Sequence, residues 1–216
     1  MRGLLLMDFK FLKRQTKFLI IVGLLVFVFL FNKDMSSFGV AYATMLFGIF
    51  AVNSIYYDEA NNGNVFLFTL PFSRKEYVFS KYLFGMIMGG GAWILSNLIG
   101  IGYLSMVNTG VNIAEWFSIN VVYLILLLVM LSFMFPIQFK FGMEKSRLVM
   151  IILFVLVFML MNLLTGDDYM DQLNEGMAFL ERINPAVLFG GALVAVLAFT
   201  GVSVVLSMRI VEKKQM

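Results

Sequence analysis

The chain has 216 residues, 61% of them hydrophobic and 13% charged, with a mean hydropathy of +0.92, where a soluble domain holds about 45–50% apolar and about 25% charged residues; this is the composition of a polytopic membrane protein. It contains no Cys and no His, which excludes disulfide frameworks, Cys/His zinc sites, thiol nucleophiles and imidazole bases, and with them most intramembrane enzymes. The net charge of +3 reads as membrane orientation rather than as a nucleic-acid footprint, because in such a chain the distribution of charge matters more than its sum.

The first segment, Arg2 to Lys17, projects as an amphipathic helix. Lys10, Lys13, Arg14 and Lys17 recur at i, i+3, i+4 and i+7, with Leu5, Phe9 and Leu12 opposite. Asp8 and Gln15 fall on the apolar half and weaken it. Such a helix either anchors in the inner leaflet through anionic head groups or faces a cytoplasmic partner. The apolar run that follows, Phe18 to Phe31, leads into another span without a cleavage site, so the N-terminus is expected to be retained.

With about 20 residues per crossing, six spans are expected, at 18–33, 38–57, 82–107, 117–137, 148–165 and 186–208. Of the 16 Lys and Arg residues, 14 then fall in the N-terminal arm, the 58–81 connector, the 138–147 loop and the C-terminal tail; only Lys33 and Arg182 lie opposite. The positive-inside rule places those segments and both termini in the cytoplasm. The spans hold no acidic or basic residue well inside them, which argues against an ion-coupled transporter or channel. Their polar residues, among them Asn53, Ser54, Asn97, Ser132 and Asn162, are expected to hydrogen-bond between helices more than to line a path. A substrate path, if present, would use Asn53, Ser54 and Asn97. Gly85, Gly89, Gly90 and Gly91, and less clearly Gly190 and Gly191, offer small faces for close helix packing.

The connector from Asp58 to Lys81 is acidic at its start and basic at its end. Asn61, Asn62 and Gly63 form a turn that ends one helix. Ser73 and Glu76 have the S-x-x-E spacing of a capping box, so the next long helix is expected to begin near Ser73, just after Pro71. Between them lies NVFLFTL, residues 64–70, too short to cross a bilayer and too apolar to be left exposed. Something must cover it: the membrane surface, a neighbouring loop or a groove on another protein.

Residues 165–184 carry Asp167, Asp168, Asp171, Glu175 and Glu181 against the single Arg182, with Met170, Leu173, Met177 and Leu180 as an apolar stripe. The expectation is an extracellular amphipathic helix. It is either a lid whose acidic face attracts cationic peptides and whose Met170 and Met177 adapt to apolar cargo, or an outer-facing helix that simply avoids Lys and Arg.

The connector, with Asp58, Glu59, Gly63, Leu70, Pro71, Ser73, Arg74, Lys75, Glu76 and Lys81, resembles the cytoplasmic loop of the ABC-2 class of ABC-transporter permeases. The resemblance extends to the amphipathic N-terminal helix, the six spans and the polar outer segment before the last one. Within that class the chain is most similar to small peptide-exporter permeases such as those that export phenol-soluble modulins. The resemblance implies one all-α permease domain over residues 1–216 in the bacterial cytoplasmic membrane. It implies that Asn61 to Pro71 forms a coupling helix docking into a separate ATPase, with Gly63, Val65, Phe66, Leu67, Leu70 and Pro71 in the contact and Asp58, Glu59, Arg74 and Lys81 flanking it. It also implies two ATPase copies, which carry the ATP and magnesium, a second permease chain, surrounding lipid and an amphipathic or antimicrobial-type peptide substrate, with no nucleic acid. Nothing in the chain resembles a G-x-x-x-x-G-K-[ST] phosphate loop. A secondary transporter or channel, or an enzyme using Asp167, Asp168 and Glu181, are the rival classes.

Overall fold

The computed structural model describes residues 2–60, 72–107, 110, 112–163 and 185–213, and every regular element among them is helical. In chain order these are α1 (Arg2–Arg14), α2 (Thr16–Leu30), α3 (Ser36–Ala60), α4 (Arg74–Met106), α5 (Ile113–Leu163) and α6 (Pro185–Lys213). Among the described residues four stretches are long and apolar enough to cross a bilayer: Ser36–Glu59, Arg74–Met106, Ile113–Gly142 and Phe189–Lys213. They contain or overlap the second, third, fourth and sixth expected spans. At 15 residues, α2 is about 23 Å long, short of the ~30 Å of a hydrocarbon core. The fifth expected span, 148–165, is helical to Leu163, beyond which it passes outside the described residues, as do 61–71 and 164–184.

The start of α4 follows from its local sequence. The Glu76 amide donates to the Ser73 hydroxyl at 3.2 Å, and the Ser73 amide donates to the Glu76 carboxylate at 2.9 Å. Two amides that the first helical turn would leave without partners are thereby satisfied.

The stretch 138–147 differs from the expected loop. It is helical on both sides of one residue, Gly142, whose φ of 71° and ψ of −171° break α5 into a proximal and a distal arm. A side chain there would be strained by the backbone, and its Cβ would lie 3.2 Å from a carboxylate oxygen of Glu59. The break is clasped by the Ser146 hydroxyl, which donates to Gln138 Oε1 at 2.8 Å.

Small residues let the central helices approach one another. Leu127 of α5, only 2% exposed, inserts between Gly48 of α3 and Gly89 of α4. A Cβ on Gly89 would lie 2.5 Å from Leu127 Cδ2, and one on Gly48 would collide with Leu127 Cδ1. Gly85 meets Leu131 and Ala51 in the same way, at 3.0 and 3.2 Å. Van der Waals packing is the main attraction available between helices in lipid, so such approach is a source of stability. The expected glycine face is therefore used at Gly85 and Gly89, whereas a Cβ on Gly90, Gly91, Gly190 or Gly191 would meet nothing within 4 Å.

Hydroxyls stitch α6 to the rest. Tyr82 pairs with Ser203 and Ser207 at 2.6 and 3.0 Å, Ser132 donates to Thr200 at 3.0 Å, and Ser203 donates to the Ser132 carbonyl at 2.6 Å. Outward positions such as Phe154, Phe158 and Val194 stay exposed, the surface of a chain dissolved in lipid.

Gly89→Val should lower stability by about 1–3 kcal/mol through overpacking, because Leu127 cannot retreat from it without striking Gly48. Gly90→Ala should leave stability unchanged or raise it by up to about 1 kcal/mol. Thermal melting of the detergent-solubilised variants compares the two.

Candidate functional site

The N-terminal helix buries an unexpected face. Leu4, Asp8 and Leu12, spaced by four residues, are exposed to only 5, 1 and 8%, so Asp8 sits at the centre of the covered stripe rather than weakening it. Phe9, expected on that stripe, is 42% exposed, although its ring meets Phe84 edge-on at 5.6 Å. Lys10, Lys13 and Arg14 point outward as the helical projection predicts. Phe11 packs on Tyr57 at 4.9 Å, and Arg14 lies over the same ring at 5.4 Å.

Asp8 meets Lys81. The Lys81 ammonium, on a residue exposed to 1%, lies 2.5 Å from Asp8 Oδ1, 2.7 Å from Asp58 Oδ2 and 3.1 Å from Ser54 Oγ. The Ser54 hydroxyl in turn donates to the Ala51 carbonyl at 2.9 Å. Tyr77 donates to Asp58 at 2.9 Å, and its ring lies 5.3 Å from the Lys81 nitrogen. Two helical pairs build this arrangement, Ser54 with Asp58 on α3 and Tyr77 with Lys81 on α4, because residues four apart share a face. Asp8 closes it from α1.

The cluster holds two carboxylates and one ammonium. Burial pushes the Asp8 carboxyl above its ordinary value, and this outweighs the opposing pull of Lys81; the charge of Asp58 pushes in the same direction as burial. Asp8 Oδ2 is buried without a hydrogen-bond partner among the described residues. Burial thus disposes the Asp8 carboxyl toward its protonated form. Asp58 and Lys81 stand at helix ends, as expected; Lys81 is buried, Asp58 keeps 12% of its side chain exposed, and Asp8 of α1 closes on them. Their charges are satisfied within the chain, and what they can offer a partner is the position of the helices they fasten. Among the described residues no group of three or more His, Cys, Asp or Glu is arranged to hold a metal ion.

The remaining expected residues separate. Arg74 donates from Nη1 to the carbonyls of Val211 and Glu212 at 3.2 and 2.8 Å, gripping the last turn of α6. A cation suits that helix end. Beside it the Lys75–Glu212 ion pair, at 3.4 Å and well exposed, adds little. Glu59 lies against Gly142. Asn97 is buried, donates to the Trp93 carbonyl of its own helix at 2.9 Å and accepts from the Trp116 indole of α5 at 2.9 Å, the latter being the expected bonding between helices. Asn53 is exposed and lines a cavity with Gln138 and Arg147. Gly63, Val65, Phe66, Leu67, Leu70, Pro71, Met170 and Met177 lie outside the described residues.

The contacts sort the helices by end. Asp8, Asp58, Lys81, Arg74, Val211 and the Glu59–Gly142 contact share one end. At the other, Leu30 meets Gly39 and the α4 residue Gly100 meets Trp116 and Ser36. Sequence reasoning named Asp58 and Lys81 but missed Asp8 and Tyr77. The available signals were the four-residue spacing of Leu4, Asp8 and Leu12, and of Tyr77 and Lys81.

Lys81→Met strands two carboxylates away from water and should destabilise the protein by about 3–5 kcal/mol. Asp8→Asn should cost distinctly less, since burial already favours the uncharged acid. Equilibrium unfolding of both variants in detergent gives the comparison.

Residues 3–212 match the family described as ABC-2 family transporter protein. No curated protein and no solved structure matches the chain. The match runs from the first turn of α1 to the last of α6 and takes in Asp8, Asp58, Arg74 and Lys81. Membership implies the multi-pass membrane subunit of an ABC transporter, associating with an ABC ATPase. A match of this extent shows that the chain belongs to the ABC-2 transporter family.

Proposed function

We propose that this chain is the permease of an ATP-driven exporter that moves amphipathic or antimicrobial-type peptides out of the bacterial cell. Residues 61–71 dock on a separate ATPase, which supplies ATP hydrolysis with magnesium; two such subunits serve two permease chains. The chain crosses the bacterial cytoplasmic membrane six times with both termini inside, and the fifth crossing uses the distal arm of α5. Its exposed apolar side chains, Phe154 and Phe158 among them, face lipid or the second permease.

The observation that carries this reading is the Asp8–Lys81–Asp58 cluster. It fastens α1 to the end of α3 and the start of α4, the two helices that flank residues 61–71. A push on that connector would reach both helices and α1 together, and through Arg74 the end of α6. The helix that covers the cluster is the one whose basic side faces outward, toward head groups or a partner.

A second reading has one foothold. The buried carboxylate of Asp8 could carry a proton in an ion-coupled transporter, which the span interiors alone argue against. Membership of an ATP-dependent family favours the first reading.

Purification of wild type beside the Phe66→Asp/Leu70→Asp double variant separates them. An ATPase should come down with wild type and be lost from the double variant at equal membrane insertion. ATP-dependent uptake of a cationic amphipathic peptide into inside-out vesicles should fall roughly tenfold or more, the effect of about 1.4 kcal/mol lost at docking. Proton-dependent flux from the purified chain alone, with no ATPase retained, would establish the second reading instead.

A further inference from the structure

A cavity of about 370 Å³ opens between α3 and the two arms of α5. One part of its wall is apolar, including Ile49, Val52, Met134 and Ile151; the rest carries Asn53, Tyr56, Gln138 and Arg147. The polar part offers donors that lack acceptors. Gln138 is 6% exposed, and its Oε1 accepts from Ser146, but its Nε2 is buried without a hydrogen-bond partner among the described residues. Leaving such a donor unsatisfied is costly unless a ligand completes it. Arg147 lies over the Tyr56 ring at 5.0 Å, and among the described residues no carboxylate pairs with it. Its guanidinium fork suits a phosphate or carboxylate.

We infer that this cavity binds the head group of an anionic phospholipid, with the phosphodiester on Arg147 and Gln138 and an acyl chain leaving along Ile151. Three features favour lipid over a transported peptide. The cavity lies near the Glu59–Gly142 contact, hence at the end of the bundle that holds most of the basic residues. Its neighbours Leu148, Ile151 and Ile152 are 60–62% exposed, an apolar surface at the level of acyl chains. Basic pockets between helices on the cytoplasmic side are suited to anionic heads. The assignment of sides rests on the orientation proposed above, whereas the lipid measurement needs no ATPase, so the two can fail separately.

Native mass spectrometry of the purified chain, after exchange into micelles with phosphatidylglycerol or phosphatidylcholine of identical chains, tests it. Wild type should retain phosphatidylglycerol about fivefold better. Arg147→Gln should erase the preference, and Arg147→Lys should keep part of it. Gln138→Glu, which preserves shape and the acceptor for Ser146, should also lose it while leaving Arg147 in place. Melting curves identify any variant that fails to fold, and the other variant then decides. Equal retention of both lipids by wild type, or an undiminished preference in the folded variants, overturns the proposal. So does a wild type that releases the lipid to an amphipathic peptide ending in a carboxylate, which would make the cavity a cargo site.

Discussion

An ammonium group removed from water needs a carboxylate beside it, and Lys81 draws one from each of two distant segments. Asp58 arrives on the same connector, but Asp8 comes from α1, 73 positions earlier in the chain. The attraction is strong because α1 lies over the group and excludes water. It also makes the N-terminal helix part of the bundle rather than an appendage: removing α1 would leave the Lys81 ammonium without its Asp8 partner and uncover the apolar side chains packed in one cluster with Leu4 and Leu12. The position of α1, the approach of α3 to α4 and the anchoring of α6 by Arg74 all meet at this end of the molecule.

Farther along the helices, cohesion has another source. Leu127 seats between two glycines, and hydroxyls on Tyr82, Ser132, Thr200 and Ser203 bind α6 without any charge. Neither device relies on expulsion of water, which is absent between helices in lipid. Charge holds the end of the bundle, and shape holds its middle. A displacement at the charged end is therefore delivered to helices whose central contacts are close and hard to compress.

The long apolar runs and the Ser73–Glu76 cap were legible in the sequence because each depends on spacing within a few residues. Asp8 was misread because an amphipathic projection equates the buried side with the apolar side, and its partner lies 73 positions away. Gly142 stood in a basic stretch that reads as an ordinary loop; only its backbone angles distinguish a one-residue break from a flexible segment. Asp58 and Lys81 were recognised by their place in the connector, but their mutual pairing is a fact of packing with no local signature. Gly90 and Gly91 illustrate the reverse case, since small residues reveal where helices can approach but not which of them do.

If α2 is the first of the six crossings proposed above, its shortness imposes a condition on the surrounding membrane. Its 15 residues fall roughly 7 Å below the thickness of a typical hydrocarbon core. Lipid beside it must compress, or Lys17 and Lys33 must extend their ammonium groups toward the two surfaces. Each ångström of mismatch costs a fraction of a kcal/mol, so the bilayer would then be elastically strained along this flank. Shorter-chain lipids would thereby be favoured beside α2, and the protein would organise membrane thickness locally as well as reside in it.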